Sequence, residues 1–169
     1  PLHSLVARVM DGVGVPNLIL PPGSSPHDHQ LRPSEAKAMQ DANIVFWMGE
    51  ELTPWMENAV KTLSSNASIN TLLENDKTSL LEFREGALFE AHDDKELDEH
   101  GHGSHDPHAW LSPNNAKAWL DVIAAQLSSY DPENAGVYFT NAASTKSEIE
   151  MIIACLLYTS PSPRDLQGS

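Results

Sequence analysis

Along this chain, stretches with apolar residues every three or four positions alternate with short apolar runs closed by proline or glycine. That alternation confines the fold to a sheet covered by helices. "PLHSLVARVMDGVG" sets Leu5, Val6, Val9 and Met10 on one helical face and ends in Gly12 and Gly14, so a helix is expected from about His3 to Asp11. Leu18 to Leu20, followed by Pro21, Pro22 and Gly23, reads as a buried strand running into a loop that carries His27 and His29. "RPSEAKAMQDA" is a helix begun by Pro33 or capped by Ser34, and "NIVFWMGEEL" is a second strand. Thr53 and Pro54 open a helix with the face Trp55, Met56, Ala59, Val60 and Leu63; "ASINTLL" follows as a weaker third strand. The expected class is α/β, with an open, mostly parallel sheet flanked by helices. Ligands of such sheets gather beyond the carboxyl ends of the strands, where His27 is expected to fall.

Ser112 and Pro113 cap and start a further helix with the stripe Ala116, Trp119, Leu120, Ile123 and Leu127, which "SYDPEN" interrupts. From Pro132 a helical pattern resumes through Tyr138, Phe139, Ala142, Ile149 and Ile153, long enough to cross from one lobe to another. Near Cys155 the composition turns rich in Ser and Pro. "CLLYTSPSPRDLQGS" resembles translated adaptor or vector read-through and is set aside from the fold, the alternative being a disordered tail. The expected organisation is a lobe over 1–130 with a His- and acid-rich loop at 90–106, a long helix over 131–154, and a non-native tail over 155–169.

At 169 residues the chain has room for one domain or one lobe, not two. Its 24 acidic and 10 basic residues give a net charge of -14, which disfavours nucleic acid and anionic lipid and favours cations. Cys155 is the single cysteine, which excludes an intrachain disulfide and a cysteine-based zinc finger. The chain begins at Pro1 with no signal-peptide pattern and no apolar run near the roughly 20 residues that span a bilayer, so it reads as a mature chain or a fragment.

A neutral imidazole offers a nitrogen lone pair to a transition metal at no charge cost, so the histidines are the candidate chemistry. In "SPHDH", His27 and His29 flank Asp28, and as a pair they read as ligands or simply as two surface histidines. His108 in "HDPHAWLSP" precedes a capped helix that could aim its ring, although it equally fits a core histidine with a satisfied hydrogen bond. His92, His100, His102 and His105 stand among carboxylates and glycines. Such tracts bind metal weakly, because ordering the loop opposes each ligation, and a purely solvated acidic loop has no need of four histidines. Hydrolase and phosphate-binding signatures are absent.

Together "HDHQLRPS", the His-rich acidic insertion and "HAWLSP", set within residues 1 to 154, resemble the periplasmic zinc-binding proteins of bacterial high-affinity zinc ABC transporters. The resemblance implies a two-lobed binding protein, each lobe with a parallel sheet, joined by one long helix, with zinc held as cargo between the lobes. It matches His27 to the first histidine ligand and His108 to the second. The remaining ligands would belong to another lobe, and a first strand would precede "PLHSL". Pro26 stands where some relatives carry a Glu. What is implied is a monomeric, non-enzymatic zinc binder, a fragment comprising the N-terminal lobe, that works outside the cytoplasmic membrane and hands zinc to a membrane permease powered by an ATPase. Capture should weaken below about pH 6, since an imidazole must shed its proton to ligate. A manganese or iron binder of the same superfamily shares this frame, but imidazole suits zinc better than manganese. Readings from other classes are a metal-dependent hydrolase, which would need an open coordination position and a nearby general base, and an adhesin-like module.

Overall fold

The computed structural model describes residues 1–83 and 105–159. Helix α1, Leu2–Val9, turns the apolar face foreseen from its spacing into the core: Val6 and Val9 are buried. Its carbonyl ladder ends in bonds from Val13 and Gly14 to the Met10 oxygen, with Gly12 at φ 79, in the left-handed region that glycine adopts freely. Helix α2 (Pro33–Gln40), strand β1 (Ile44–Trp47), helix α3 (Pro54–Leu63) and strand β2 (Ser68–Thr71) follow. β1 and β2 pair in parallel with Ile44 opposite Ser68 and Trp47 opposite Thr71, so α3 is the crossover that parallel neighbours require.

β1 is covered on both faces, which explains its unbroken apolar run. Val45 and Trp47 pack with Met39 of α2 and with Met56, Ala59 and Val60 of α3. Ile44 and Phe46 lie against a larger cluster built by Val6 and Val9, by Leu72 and Leu73 just past β2, and by the last two helices. Those helices are α4, Pro113–Tyr130, and α5, Ala135–Thr159, separated by a single 3-10 turn at Pro132–Asn134. Trp119, Leu120, Ile123 and Leu127 of α4 are buried as the stripe foretold, and Tyr138 and Ala142 of α5 join them.

The α4–α5 corner is tied by one carboxylate. Asp131 accepts from the Asn134 amide at 2.7 Å and from the Tyr138 hydroxyl at 2.8 Å. These bonds, the Asn134 one foremost, hold the Asp131 carboxyl below its ordinary range; burial, aided by Asp131, pushes the Tyr138 hydroxyl up to about 12. α5 continues past Cys155 to Thr159, and no helix among the described residues is long and apolar enough to cross a membrane.

One expected element does not form. Residues 18–20 are not a strand, Leu18 is 45% exposed, and the sheet of the described residues has two strands rather than three. A strand is stable only beside a paired neighbour, and here Pro16, Pro21 and Pro22 remove donors on either side of the run. The segment is held instead by the His3 ring, whose Nε2 donates to the Pro16 carbonyl at 3.1 Å. His27 therefore does not follow a strand end. Residues 84–104 lie outside the described residues, and with them most of the expected 90–106 loop.

The core places Trp119 at the centre of the larger cluster, fully buried, with its indole Nε1 donating to the Thr78 hydroxyl at 2.9 Å. Trp119→Ala should cost about 3–5 kcal/mol of unfolding free energy, the range for emptying a buried aromatic site. Urea denaturation of the two chains checks this; a loss under about 1 kcal/mol, a value typical of surface changes, would contradict the packing described.

Candidate metal centre

Residues 21–32 have no regular structure, yet side chains from the helices that follow hold them in place. Trp55, in the first turn of α3, donates its indole Nε1 to the Pro26 carbonyl at 2.8 Å, immediately before His27. Two residues after His27, the His29 ring points inward, only 9% exposed. Its Nε2 donates to Glu35 Oε2 at 2.9 Å, and its ring stands edge-on to Trp55 with centroids 5.1 Å apart. Glu35 lies in the first turn of α2 and also accepts from the Arg32 backbone N–H at 2.8 Å, the carboxylate half of a capping box. The Arg32 N–H first and the His29 ring second hold the Glu35 carboxyl below its ordinary value, so it stays an acceptor. Between these two anchors His27 faces outward and is exposed; its own N–H donates to Ser25 Oγ at 3.2 Å.

The second strip of chain is as firmly set. Asp106 N–H donates to the Leu81 carbonyl at 2.8 Å, and Glu82 and His105 form an antiparallel bridge beside it. A 3-10 turn over Ala109–Leu111 and the Ser112 cap, whose Oγ accepts from Asn115 N–H, lead into α4. At the start of that turn Asp106 Oδ1 accepts twice from His108, at 2.9 Å from its backbone N–H and at 2.6 Å from ring Nδ1. An Nδ1–H held by a carboxylate makes Nε2 the lone-pair nitrogen of the ring, the arrangement in which a metal-binding imidazole is oriented by an outer partner. The His108 ring also meets Trp110 edge-on, centroids 4.9 Å apart, which restricts its rotation.

The two strips meet at His27 and His108. Their ring centroids are 5.6 Å apart with the planes inclined at 64°, although the residues lie far apart in the chain. Of the six candidate ligands read from the sequence, the structure thus brings together these two. It puts His105 at the foot of the 84–104 segment, and His92, His100 and His102 fall outside the described residues. His29, grouped with His27 from the sequence as one of two ligands or two surface residues, is instead turned inward and anchors the loop. Three helpers escaped the sequence reading. Asp106 was lost among its acidic neighbours, Trp55 was counted only toward a helix face, and Glu35 was unmarked although its place three residues after Arg32 suits a capping carboxylate. Among the described residues, no group of three or more His, Cys, Asp or Glu side chains could hold a metal ion, and the arrangement consists of two neighbouring imidazoles.

A family model described as zinc-uptake complex component A, periplasmic, matches residues 1–155, which include both histidines. The high-affinity zinc uptake system protein ZnuA of Paracoccus denitrificans is 40% identical over 164 residues, covering 86% of this chain and 50% of that protein. The protein of the same name from Brucella abortus is 34% identical over 178 aligned residues, covering 90% of this chain and 53% of its own length. The chain therefore spans about half the length of the curated relatives it matches. A manganese-bound periplasmic metal-binding protein from Candidatus Liberibacter asiaticus shares the fold with a TM-score of 0.73 at 21% identity, covering 92% of this chain and 52% of that one. Zinc-bound AdcA from Streptococcus pneumoniae does so with a TM-score of 0.67 at 21% identity, covering 89% of this chain and 29% of that one. With a family model spanning nearly its whole described length, this α/β chain belongs to the periplasmic zinc-uptake component A family.

Proposed function

We propose that this chain is the N-terminal lobe of an extracytoplasmic zinc-binding component of an ABC transporter, which captures Zn²⁺ as cargo and delivers it to a membrane permease. The observation that carries this is the approach of His27 and His108 to 5.6 Å at the surface of the lobe, one exposed and the other oriented by a carboxylate. Zinc takes imidazole nitrogen at about 2.0–2.1 Å in tetrahedral sites, and two rings converging from different loops supply half of such a site. The rest would come from a further lobe, for which the relatives, about twice this length, leave room. Residues 1–130 would then form the metal-binding lobe and 131–154 the helix leading out of it. The tail from 155 would be foreign, which agrees with the end of the family match at residue 155. The protein acts by binding and release rather than turnover, as a monomer, in the periplasm or an equivalent compartment, and without nucleic acid.

The second part of the proposal concerns the acidic insertion. His92, His100, His102 and His105 stand in a run that also holds Asp93, Asp94, Glu96, Asp98 and Glu99. They would gather zinc weakly and pass it to the His27–His108 pair.

Three outcomes test this reading. Calorimetric titration of this chain with zinc should show only weak binding, because two protein nitrogens leave a tetrahedral ion half satisfied; one tight, stoichiometric site would defeat the half-site assignment. In the full-length protein, His108→Ala should abolish tight binding, whereas His102→Ala should leave it nearly intact; the reverse ranking would transfer the site to the loop. Asp106→Asn should weaken zinc affinity by about 10–100-fold, the usual cost of losing an outer partner of a ligating imidazole, as measured by competition with a chromophoric chelator.

A further inference from the structure

Asn115, in the first turn of α4, is 1% exposed. Its side-chain amide donates to the Ser79 carbonyl at 2.8 Å and to the Ala109 carbonyl at 3.0 Å, while its Oδ1 accepts from the Ser79 N–H at 2.9 Å. Both amide hydrogens and the carbonyl oxygen are thereby satisfied, and among side chains of this size only a carboxamide offers donors and an acceptor together. The groups it joins are telling. Ser79 lies on the strip that leads into 84–104, and Ala109 is the residue after His108 on the strip that leads out.

We propose that Asn115 is a positioning residue that clamps the two ends of the 84–104 segment together and so fixes His108 independently of what that segment does. The proposal rests on the reading of His108 as a zinc ligand. The clamp works with the neighbouring bonds: Asp106 N–H to the Leu81 carbonyl, the Glu82–His105 bridge, and the Thr78 hydroxyl, which donates to the Leu72 carbonyl at 2.5 Å and accepts from Trp119. Together they tie the foot of the segment to the C-terminal side of β2 and to α4. Closing a chain at its base removes the lever by which a change in its length or composition would shift the residues that flank it. An apolar side chain could fill the same volume, but it would remove both bonds to the Ser79 backbone and leave the Ala109 carbonyl with the Ser112 N–H alone. His108 is the first residue beyond that foot whose ring reaches the metal side, so its geometry is what the clamp protects.

The test uses the whole chain in its metal-free form. Four proteins are compared: the parent, a version with residues 84–104 replaced by a short Gly-Ser linker, Asn115→Asp, and Asn115→Asp with the linker. Asn115→Asp keeps the acceptor for Ser79 N–H and removes both donations to carbonyls. Asn115→Ala, with and without the linker, forms a parallel pair in case the buried carboxylate prevents folding. The readout is the set of His108 ring resonances, which the ring current of Trp110, 4.9 Å away, should displace from free-imidazole positions. With Asn115 present, exchanging 84–104 for the linker should leave those resonances unchanged. Without Asn115 they should move toward free-imidazole positions, and their position should then depend on whether 84–104 is present. The Trp47 indole N–H, bonded to Thr71 Oγ1 in the other core cluster, should stay in place throughout.

Zinc affinity measured by chelator competition should fall about tenfold in the Asn115 variants, in the range for outer partners of a ligand. The proposal is overturned if the His108 resonances are the same with and without Asn115, or if Trp47 moves as far as His108, which would make Asn115 a general core residue. Because the ring resonances are read without metal, they decide the clamp even if zinc proves to bind elsewhere; that separate failure would appear as an affinity indifferent to His108→Ala.

Discussion

Two imidazoles from distant parts of a chain can face one ion only if both backbones are held, and neither His27 nor His108 lies in a helix or a strand. The holding is done by polar side chains at the starts of helices. Glu35 in α2, Trp55 in α3 and Asn115 in α4 all lie in a first turn, and each reaches back to the irregular chain that precedes its helix or the one beside it. All three helices open with proline, at Pro33, Pro54 and Pro113. A ring-fixed φ at the first position sets where each helix begins and hence where its first-turn side chain points. The apolar contacts of β1 with its two flanking layers keep those helix starts in register with one another.

This explains which parts of the structure could be read from the sequence. Periodicity reports burial, so α1, α3 and α4, with Val6 and Val9, Met56 and Val60, Trp119 and Ile123, were visible as stripes. The short run of β1 was visible because it is buried on both faces. The run at 18–20 misled for the same reason: apolar composition signals burial but says nothing about whether a pairing partner exists, and here Leu18 remains half exposed. In the site, His27 and His108 stood out through their motifs, but the partners that orient them did not. A hydrogen bond such as that between Asp106 and His108 depends on the local turn of the chain, and those of Trp55 with Pro26 and Asn115 with Ala109 depend on tertiary placement; neither leaves a period in the sequence.

The division of labour among the histidines follows from the same physics. His29 is turned inward against a carboxylate and a tryptophan, and its ring nitrogen is spent on holding the loop. His108 has its Nδ1 engaged by Asp106, and His27 is exposed beside it. Under the proposed reading, two imidazoles, with no third candidate ligand grouped beside them among the described residues, would hold an ion incompletely. Family membership places the chain among zinc-uptake components, and the carboxylate behind His108 restrains the ring on which the proposed half-site relies.

The central claim is that His27 and His108 bind the same ion. Long-range nitrogen NMR of the two rings during zinc titration tests it most directly, because a ligating imidazole nitrogen shifts strongly while its protonated partner does not. The account predicts that one nitrogen of each ring moves, that both follow a single binding curve, and that His108 is engaged through Nε2 with Nδ1 still protonated against Asp106. Zinc-dependent shifts confined to other histidines, or His27 and His108 following separate curves, would contradict it.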